Sequence, residues 1–218
     1  MNISENILKL NLENVLFLVG SACGGKTTMA REIAKKHNML YFDEYWQMDK
    51  WNGEIVDPLY QPNSANRKTT DWEAYFSRSV EEFLADKTME NTNDEYLEFL
   101  LVELIKASQS TKVITDIWIK DYDFLLKISD HSHIACLLAP GELIIQDYYN
   151  RKEHLNFTNC IKSLKEPNKK FATQNELFEI GAIKEAEKAK KYKLFSIMRS
   201  KTSTIDGTLK LLEGHFGL

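Results

Sequence analysis

The sequence predicts an α/β domain of three layers, with helices packed on both faces of a five-stranded parallel sheet. Three observations predict it. Five short apolar runs, Val15–Val19, Met39–Phe42, Lys112–Thr115, His133–Leu138 and Lys193–Met198, have the length and composition of buried strands. Helical patterns separate them, as βα units around a parallel sheet require. Directly after the first run, Gly20 to Thr27 reads Gly-Ser-Ala-Cys-Gly-Gly-Lys-Thr and matches G-x-x-x-x-G-K-[ST], the phosphate-binding loop pattern, between a strand and a helix.

In chain order, Val15 to Val19 are five consecutive apolar residues and read as a buried strand. The glycines that follow let the backbone wrap inward, so that amides from about Ala22 to Thr27 point at one anionic centre. A helix from Thr27 to Lys36 adds its N-terminal dipole at the same place. Gly20, Ser21, Ala22, Cys23, Gly24, Gly25, Lys26, Thr27 and Thr28 are therefore the candidate binding residues for a nucleoside triphosphate. Lys26 is expected to reach the β- and γ-phosphates, and the Thr27 hydroxyl to ligate Mg2+. Cys23, inside this loop, is expected to have a lowered thiol pKa and to be open to alkylation.

Thr70-x-x-Glu73, Thr92-x-x-Glu95 and Thr173-x-x-Glu176 each have the form of a capping box and predict helix starts, the last running to about Tyr192. Glu142 to Arg151 reads as a helix after the fourth strand, and Asp206 as the cap of the last helix. Two stretches exceed an ordinary connection. Residues 43–111 form an insert that begins irregularly around Trp46 and Trp51 and ends in two helices. Residues 152–172 are polar and basic without periodicity and read as a loop that closes over a site, with Lys152, Lys162, Lys165, Lys169 and Lys170 on a solvated face. The whole of 1–218 is read as one domain carrying this insert and lid.

Composition bounds the partners. Of 218 residues, 43% are apolar and 28% charged, which describes a globular protein with an ordinary core. A net charge of −4 argues against a nucleic acid partner, which calls for a broad basic face. No apolar run reaches the ~18 residues of a membrane span. The N-terminus lacks the basic-then-apolar pattern of a secretory signal. Three widely spaced cysteines point to a reduced cytoplasmic setting. His131 and His133 read as the turn into the fourth strand, and the Lys184 to Lys193 run as a solvated helix face. Trp46, Trp51 and Trp72 either line an acceptor pocket or form the insert's own small core.

With this order of elements, the chain resembles the P-loop kinases of small molecules, the group that includes adenylate, shikimate and gluconate kinases. The resemblance implies the central five-stranded parallel sheet and a transfer of the γ-phosphoryl group of ATP to a hydroxyl. Asp116, closing Val113-Ile114-Thr115-Asp116, looks like the acid that holds Mg2+ opposite Thr27, the alternative being a helix cap. Asp43, with Glu44 beside it, stands where an acid of the shikimate- and gluconate-kinase-like proteins faces the acceptor hydroxyl; the alternative is a turn residue. Arg151, at the edge of the lid, corresponds to the arginine that folds onto the transferring phosphoryl group, the alternative being a solvent-exposed partner of a helix C-terminal dipole. Arg151-Lys152 and His154, followed by Leu164-Lys165-Glu166-Pro167, are similar to the gluconate-kinase lid. Arg199, after the last strand, is placed to stack on adenine or to sit on the surface. Ile117-Trp118-Ile119-Lys120 replaces the Gly-Phe-Pro-Arg of adenylate kinases and speaks against a nucleoside monophosphate acceptor. Lys26, Asp43 and Arg151 are thus the expected catalytic residues, Thr27 and Asp116 the metal ligands. A nucleotide-binding switch or slow ATPase is the first alternative, and a kinase of nucleic acid 5′-hydroxyls the second. The oligomeric state stays open.

Overall fold

The strand Val15–Val19 (β1) has every residue buried, and it lies at the centre of a parallel sheet of order β2-β3-β1-β4-β5. The other strands are Leu40–Phe42 (β2), Val113–Thr115 (β3), Ile134–Leu138 (β4) and Phe195–Met198 (β5). Each apolar run of the sequence becomes a strand, most of them starting one or two residues late. Phe17 pairs with Thr115 on one side and Ile134 on the other, which fixes β1 between its neighbours. This computed structural model describes residues 3–43, 45–66 and 71–218.

Helices cover both faces. Val15, Phe17 and Val19 point to the side where α7 (Thr88–Ser108), α8 (Tyr122–Ile128) and the end of α11 (Pro167–Lys191) pack. Leu16 and Leu18 point to the side held by α2 (Lys26–His37) and α12 (Ile205–Phe216). The alternation of side chains along a strand makes this division, and burial on both faces explains why β1 is apolar throughout. A short helix, α1 (Glu5–Asn11), for which the sequence analysis named no element, precedes β1. Among the described residues no helix is long and apolar enough to cross a membrane.

The insert is helical for most of its length: α3 (Met48–Lys50), a π-helical turn at Trp51–Ile55, α4 (Pro62–Ala65), α5 (Trp72–Phe76), α6 (Val80–Ala85) and α7. Thr70, of the first expected capping box, lies outside the described residues; Asp71 caps α5 by accepting from the Ala74 amide at 2.9 Å. The box at Thr92 is not a helix start. The helix α7 begins a turn earlier, and the Thr92 hydroxyl donates to the Thr88 carbonyl at 2.8 Å. Glu95 instead accepts from the amides of Asn63 (3.0 Å) and Ser64 (2.8 Å), capping α4 from another element. Trp51 is buried and stacks on Phe99, and Trp46 stacks on Phe42, so these two rings belong to the core beneath the insert.

Residues 152–172 are not an aperiodic loop. A 3₁₀ turn at Lys152–His154 leads into α10 (Leu155–Ser163), and α11 begins at Pro167. Glu166 takes the left-handed conformation (φ 48°) between the two helices, and Pro167 sits at the first helical position, where no amide is needed. Thr173 therefore lies inside α11, its hydroxyl donating to the Lys169 carbonyl at 3.3 Å. The helix after β4, α9 (Gly141–Tyr148), stops three residues before Arg151. The last helix, α12, is capped by Thr204, which accepts from the Gly207 amide at 3.1 Å; Asp206 lies within its first turn.

Candidate nucleotide site

The loop from Gly20 to Thr27 crosses the C-terminal edge of the sheet and rests on the end of β4. A Cβ at Gly20 would lie 2.2 Å from the Leu137 carbonyl oxygen and one at Gly24 2.3 Å from it, so glycine alone allows this approach. Ser21 fastens the loop there. Its amide donates to the Leu137 carbonyl at 3.1 Å, and its hydroxyl accepts from the Ala139 amide at 2.7 Å in a buried setting. Gly24 donates to the Ser21 carbonyl at 3.3 Å and closes the turn. The amides of Ala22, Cys23, Gly25, Thr27 and Thr28 meet no acceptor among the described residues. These are the orphan donors of a loop and a helix N-terminus, the kind of donor that an anion can satisfy. The Lys26 ammonium lies back on the loop, donating to the carbonyls of Gly20 (3.2 Å) and Ser21 (2.8 Å).

Cys23 departs from expectation. Its side chain is buried against Ala139, Ile144 and Ala182, and its backbone is left-handed at φ 56°. Burial pushes the thiol pKa up, outweighing the nearby positive charges of Arg151, Arg199 and Lys26. The thiol packs in this small cluster, and its pKa shifts opposite to the direction that the loop's dipole suggested.

Thr27 and Asp116 meet across the sheet edge. The Thr27 hydroxyl donates to Asp116 Oδ2 at 2.5 Å, and Asp116 is 7% exposed. Asp116 is not a helix cap. That role belongs to Asp121, which accepts from the amides of Asp123 (2.8 Å) and Phe124 (3.1 Å) at the start of α8. A hydroxyl and a carboxylate side by side are hard oxygen donors of the kind Mg2+ takes. Among the described residues no group of three or more His, Cys, Asp or Glu gathers to hold a metal by itself. That donor set suits an ion that keeps waters and shares its shell with substrate phosphates. Sequence reasoning missed a third member, Tyr41, whose hydroxyl donates to Asp116 Oδ1 at 2.9 Å. Burial first, and then the Asp116 charge, pushes the Tyr41 pKa up, so the phenol stays a donor.

Asp43 lies half-buried just beyond β2. Its Oδ1 accepts from the Tyr45 amide at 3.0 Å and its carbonyl from the Trp46 amide at 3.1 Å, so it does form a turn. Phe42 pairs in register with Thr115, so Asp43 and Asp116 follow paired residues at neighbouring strand ends, and the Asp43 charge adds to the upward push on the Tyr41 pKa. Glu44 lies outside the described residues. Arg151 is half-buried between α9 and the 3₁₀ turn at Lys152–His154, its amide donating to the Tyr148 carbonyl at 3.4 Å, and its positive charge acts to lower the Cys23 pKa. Arg199 is not free on the surface. Its guanidinium donates to the Cys23 carbonyl at 2.9 Å and pairs with Asp147 at 2.7 Å, while its amide donates to the Leu138 carbonyl at 2.8 Å. Asp147 carried no signal in the sequence beyond its place near the end of a helix.

The basic segment after Arg151 docks on the insert. Lys152, Lys162, Lys165 and Lys169 are exposed as expected, but Lys170 is 5% exposed. Its ammonium pairs with Glu73 at 2.7 Å and donates to the Ser77 hydroxyl at 3.2 Å. The other Glu73 oxygen accepts from the Lys165 amide at 3.0 Å, and Phe157 packs edge-on against Phe76. The Lys170 bond, with the Lys165 amide behind it, holds the Glu73 carboxyl below the usual carboxylate range.

No protein-family model matches the sequence, and no curated protein matches it. Among solved structures the chain is similar to a shikimate kinase from Bacteroides thetaiotaomicron, with 13% identity over 94% of this chain and 98% of that one and a TM-score of 0.46. A shikimate kinase from Acinetobacter baumannii in complex with shikimate gives 11% identity, coverage of 98% and 97%, and a TM-score of 0.47. A dephospho-CoA kinase from Campylobacter jejuni gives 17% identity, coverage of 94% and 98%, and a TM-score of 0.38. At such identities and scores the likeness is one of general outline.

Proposed function

We propose that this chain is a Mg2+-dependent phosphotransferase that moves the γ-phosphoryl group of ATP to a hydroxyl of a small molecule. The observation that carries the reading is the convergence, at one edge of the parallel sheet, of the orphan loop amides, Lys26 and the Thr27–Asp116 pair. The loop amides take the triphosphate, and Lys26 leaves its carbonyl partners for the β- and γ-phosphates. Thr27 and Asp116 would hold Mg2+, which neutralises charge on the phosphate oxygens when bound. Asp43, beside this cluster, orients the acceptor hydroxyl and takes its proton as the new P–O bond forms. The bond from the γ-phosphorus to its bridging oxygen breaks, and ADP leaves. Arg151 supplies a guanidinium to the transferring group. Arg199, bonded to the Cys23 carbonyl, sits at the loop's flank, where the base of the nucleotide would emerge.

Such chemistry is positioning and electrostatics, so water must be kept out. The insert at 43–111 and the lid at 152–172 supply that enclosure in this reading, and their contact through Lys170 and Glu73 supports it. Three free cysteines support a reduced, cytoplasmic setting. The test is a coupled ADP-release screen with ATP and Mg2+ over sugars, sugar acids, polyols, nucleosides and aminoglycosides. ADP release that depends on one hydroxyl compound is the expected result. Slow ATP loss indifferent to every acceptor would leave a nucleotide switch or slow ATPase instead.

A further inference from the structure

We propose that Tyr41 is a positioning residue for the metal-holding pair, fixing the Asp116 carboxylate through Oδ1 so that Oδ2 stays turned to Thr27 and to a cation held there. This rests on the reading of Thr27 and Asp116 as the Mg2+ pair. Tyr41 is the middle residue of β2 and pairs in register with Ile114 of β3. Its ring packs on the α2 side of the sheet, while Leu40 and Phe42 pack on the other. From there the hydroxyl reaches Asp116, just past the end of β3, and donates to Oδ1 at 2.9 Å. Thr27 donates to Oδ2 at 2.5 Å. Each carboxylate oxygen thus has one hydroxyl donor, and the two bonds fix the plane of the group.

The ring itself is held. The Arg31 guanidinium lies 5.5 Å from its centroid, within reach of a cation–π contact. Thr27 and Arg31 stand four residues apart on α2 and so share one face of the helix. One helix face therefore holds both Asp116, through Thr27, and the ring that steadies it. A cation that took Oδ2 as a ligand would compete with the Thr27 hydroxyl for that oxygen. A carboxylate then held at neither end turns freely, whereas one held at Oδ1 keeps Oδ2 in place. Outer partners of metal ligands act in this way, and their loss typically costs about 10- to 100-fold in metal affinity.

The test is ADP binding by calorimetry over a series of Mg2+ concentrations, in the wild type, Tyr41→Phe and Arg31→Ala. Tyr41→Phe is expected to raise the half-saturating Mg2+ concentration about tenfold. ADP affinity without Mg2+ should stay within about twofold, since Tyr41 does not touch the loop amides. Arg31→Ala should move Mg2+ dependence the same way by less. A Tyr41→Phe protein with the wild-type melting temperature and the wild-type Mg2+ response would overturn the proposal. Should Tyr41→Phe not fold, a wild-type Mg2+ response in Arg31→Ala overturns it. Wild-type ADP binding that ignores Mg2+ refutes the metal pair itself, and Tyr41's role with it. That outcome is distinct from a Mg2+ response that Tyr41→Phe leaves untouched.

Discussion

Alanine at Gly24 tests the loop through sterics alone. The added Cβ would lie 2.3 Å from the Leu137 oxygen and 2.7 Å from its carbon, both backbone atoms of β4. Carbon atoms of this kind keep at least 3.0 Å, so loop and strand must part by about 0.7 Å or more. The same Leu137 oxygen accepts the Ser21 amide at 3.1 Å, and that bond is stretched as they separate. Overpacking of this sort costs roughly 1–3 kcal/mol, and a strained hydrogen bond adds about 1 kcal/mol. Gly24→Ala should therefore lose about 2–4 kcal/mol in denaturant unfolding. Because the shift carries the orphan amides away from their common centre, ATP affinity should fall at least about tenfold as well. Gly25→Ala is the control. A Cβ there meets nothing within 4 Å, and its cost comes from φ 97°. That cost is about 1–2 kcal/mol of backbone strain, without displacement of the loop. Calorimetry and urea unfolding on both variants decide the matter. Wild-type stability and ATP affinity in Gly24→Ala would refute the claim that the loop is seated on β4.

Four further outcomes follow from the same geometry. Lys26→Ala should weaken ATP binding by roughly 1.5–3 kcal/mol with the fold intact, and unchanged affinity by calorimetry would contradict the loop assignment. Asp43→Asn keeps the oxygen that the Tyr45 amide uses; with the true acceptor, transfer should fall by about 10²–10⁴ while ATP affinity holds, and wild-type turnover would remove Asp43 from the mechanism. Lys170→Met leaves the Glu73 carboxylate without its ammonium, so amides of residues 155–172 should exchange faster with deuterium; equal protection in both proteins would show that the contact does not hold the lid. Asp86 is held down at about 2 by Thr88 and Arg78. Its bonds stabilise the protein above the ordinary Asp range, by roughly 2 kcal/mol at neutral pH, and are lost as pH falls through about 2. The melting-temperature gap between wild type and Asp86→Asn should thus be full at pH 6 and close toward pH 2; a gap that persists in acid excludes this linkage.

The sequence alone determined the five strands, the loop between β1 and α2, and the pairing of Thr27 with Asp116 as a candidate. These are local signals: apolar runs of strand length, glycines where backbone must approach backbone, and an acid at the end of a strand that topology sets beside β1. Helix starts were less legible, because a Thr-x-x-Glu pattern looks the same at a cap and in a second turn. At Thr92 and Thr173 the hydroxyl bonds back to the preceding turn, and Glu95 caps a different helix. The helical parts of residues 152–172 were hidden further because much of the inward face of α10 and early α11 is polar or aromatic, as Thr158 and Lys170 illustrate, whereas the run of α11 from Thr173 on was legible. Only the tertiary structure decided that Lys170 is buried on Glu73, that Arg199 is tied to Asp147 and the loop, and that Tyr41 holds the second oxygen of Asp116. Each of these joins residues far apart in the chain, and no composition or period in one segment reports which distant side chain will face it. Cys23 gives the same lesson in its chemistry. Its neighbours in sequence promise a reactive thiolate, but burial against α9 and α11 outweighs their charge, and burial is a property of the packed molecule.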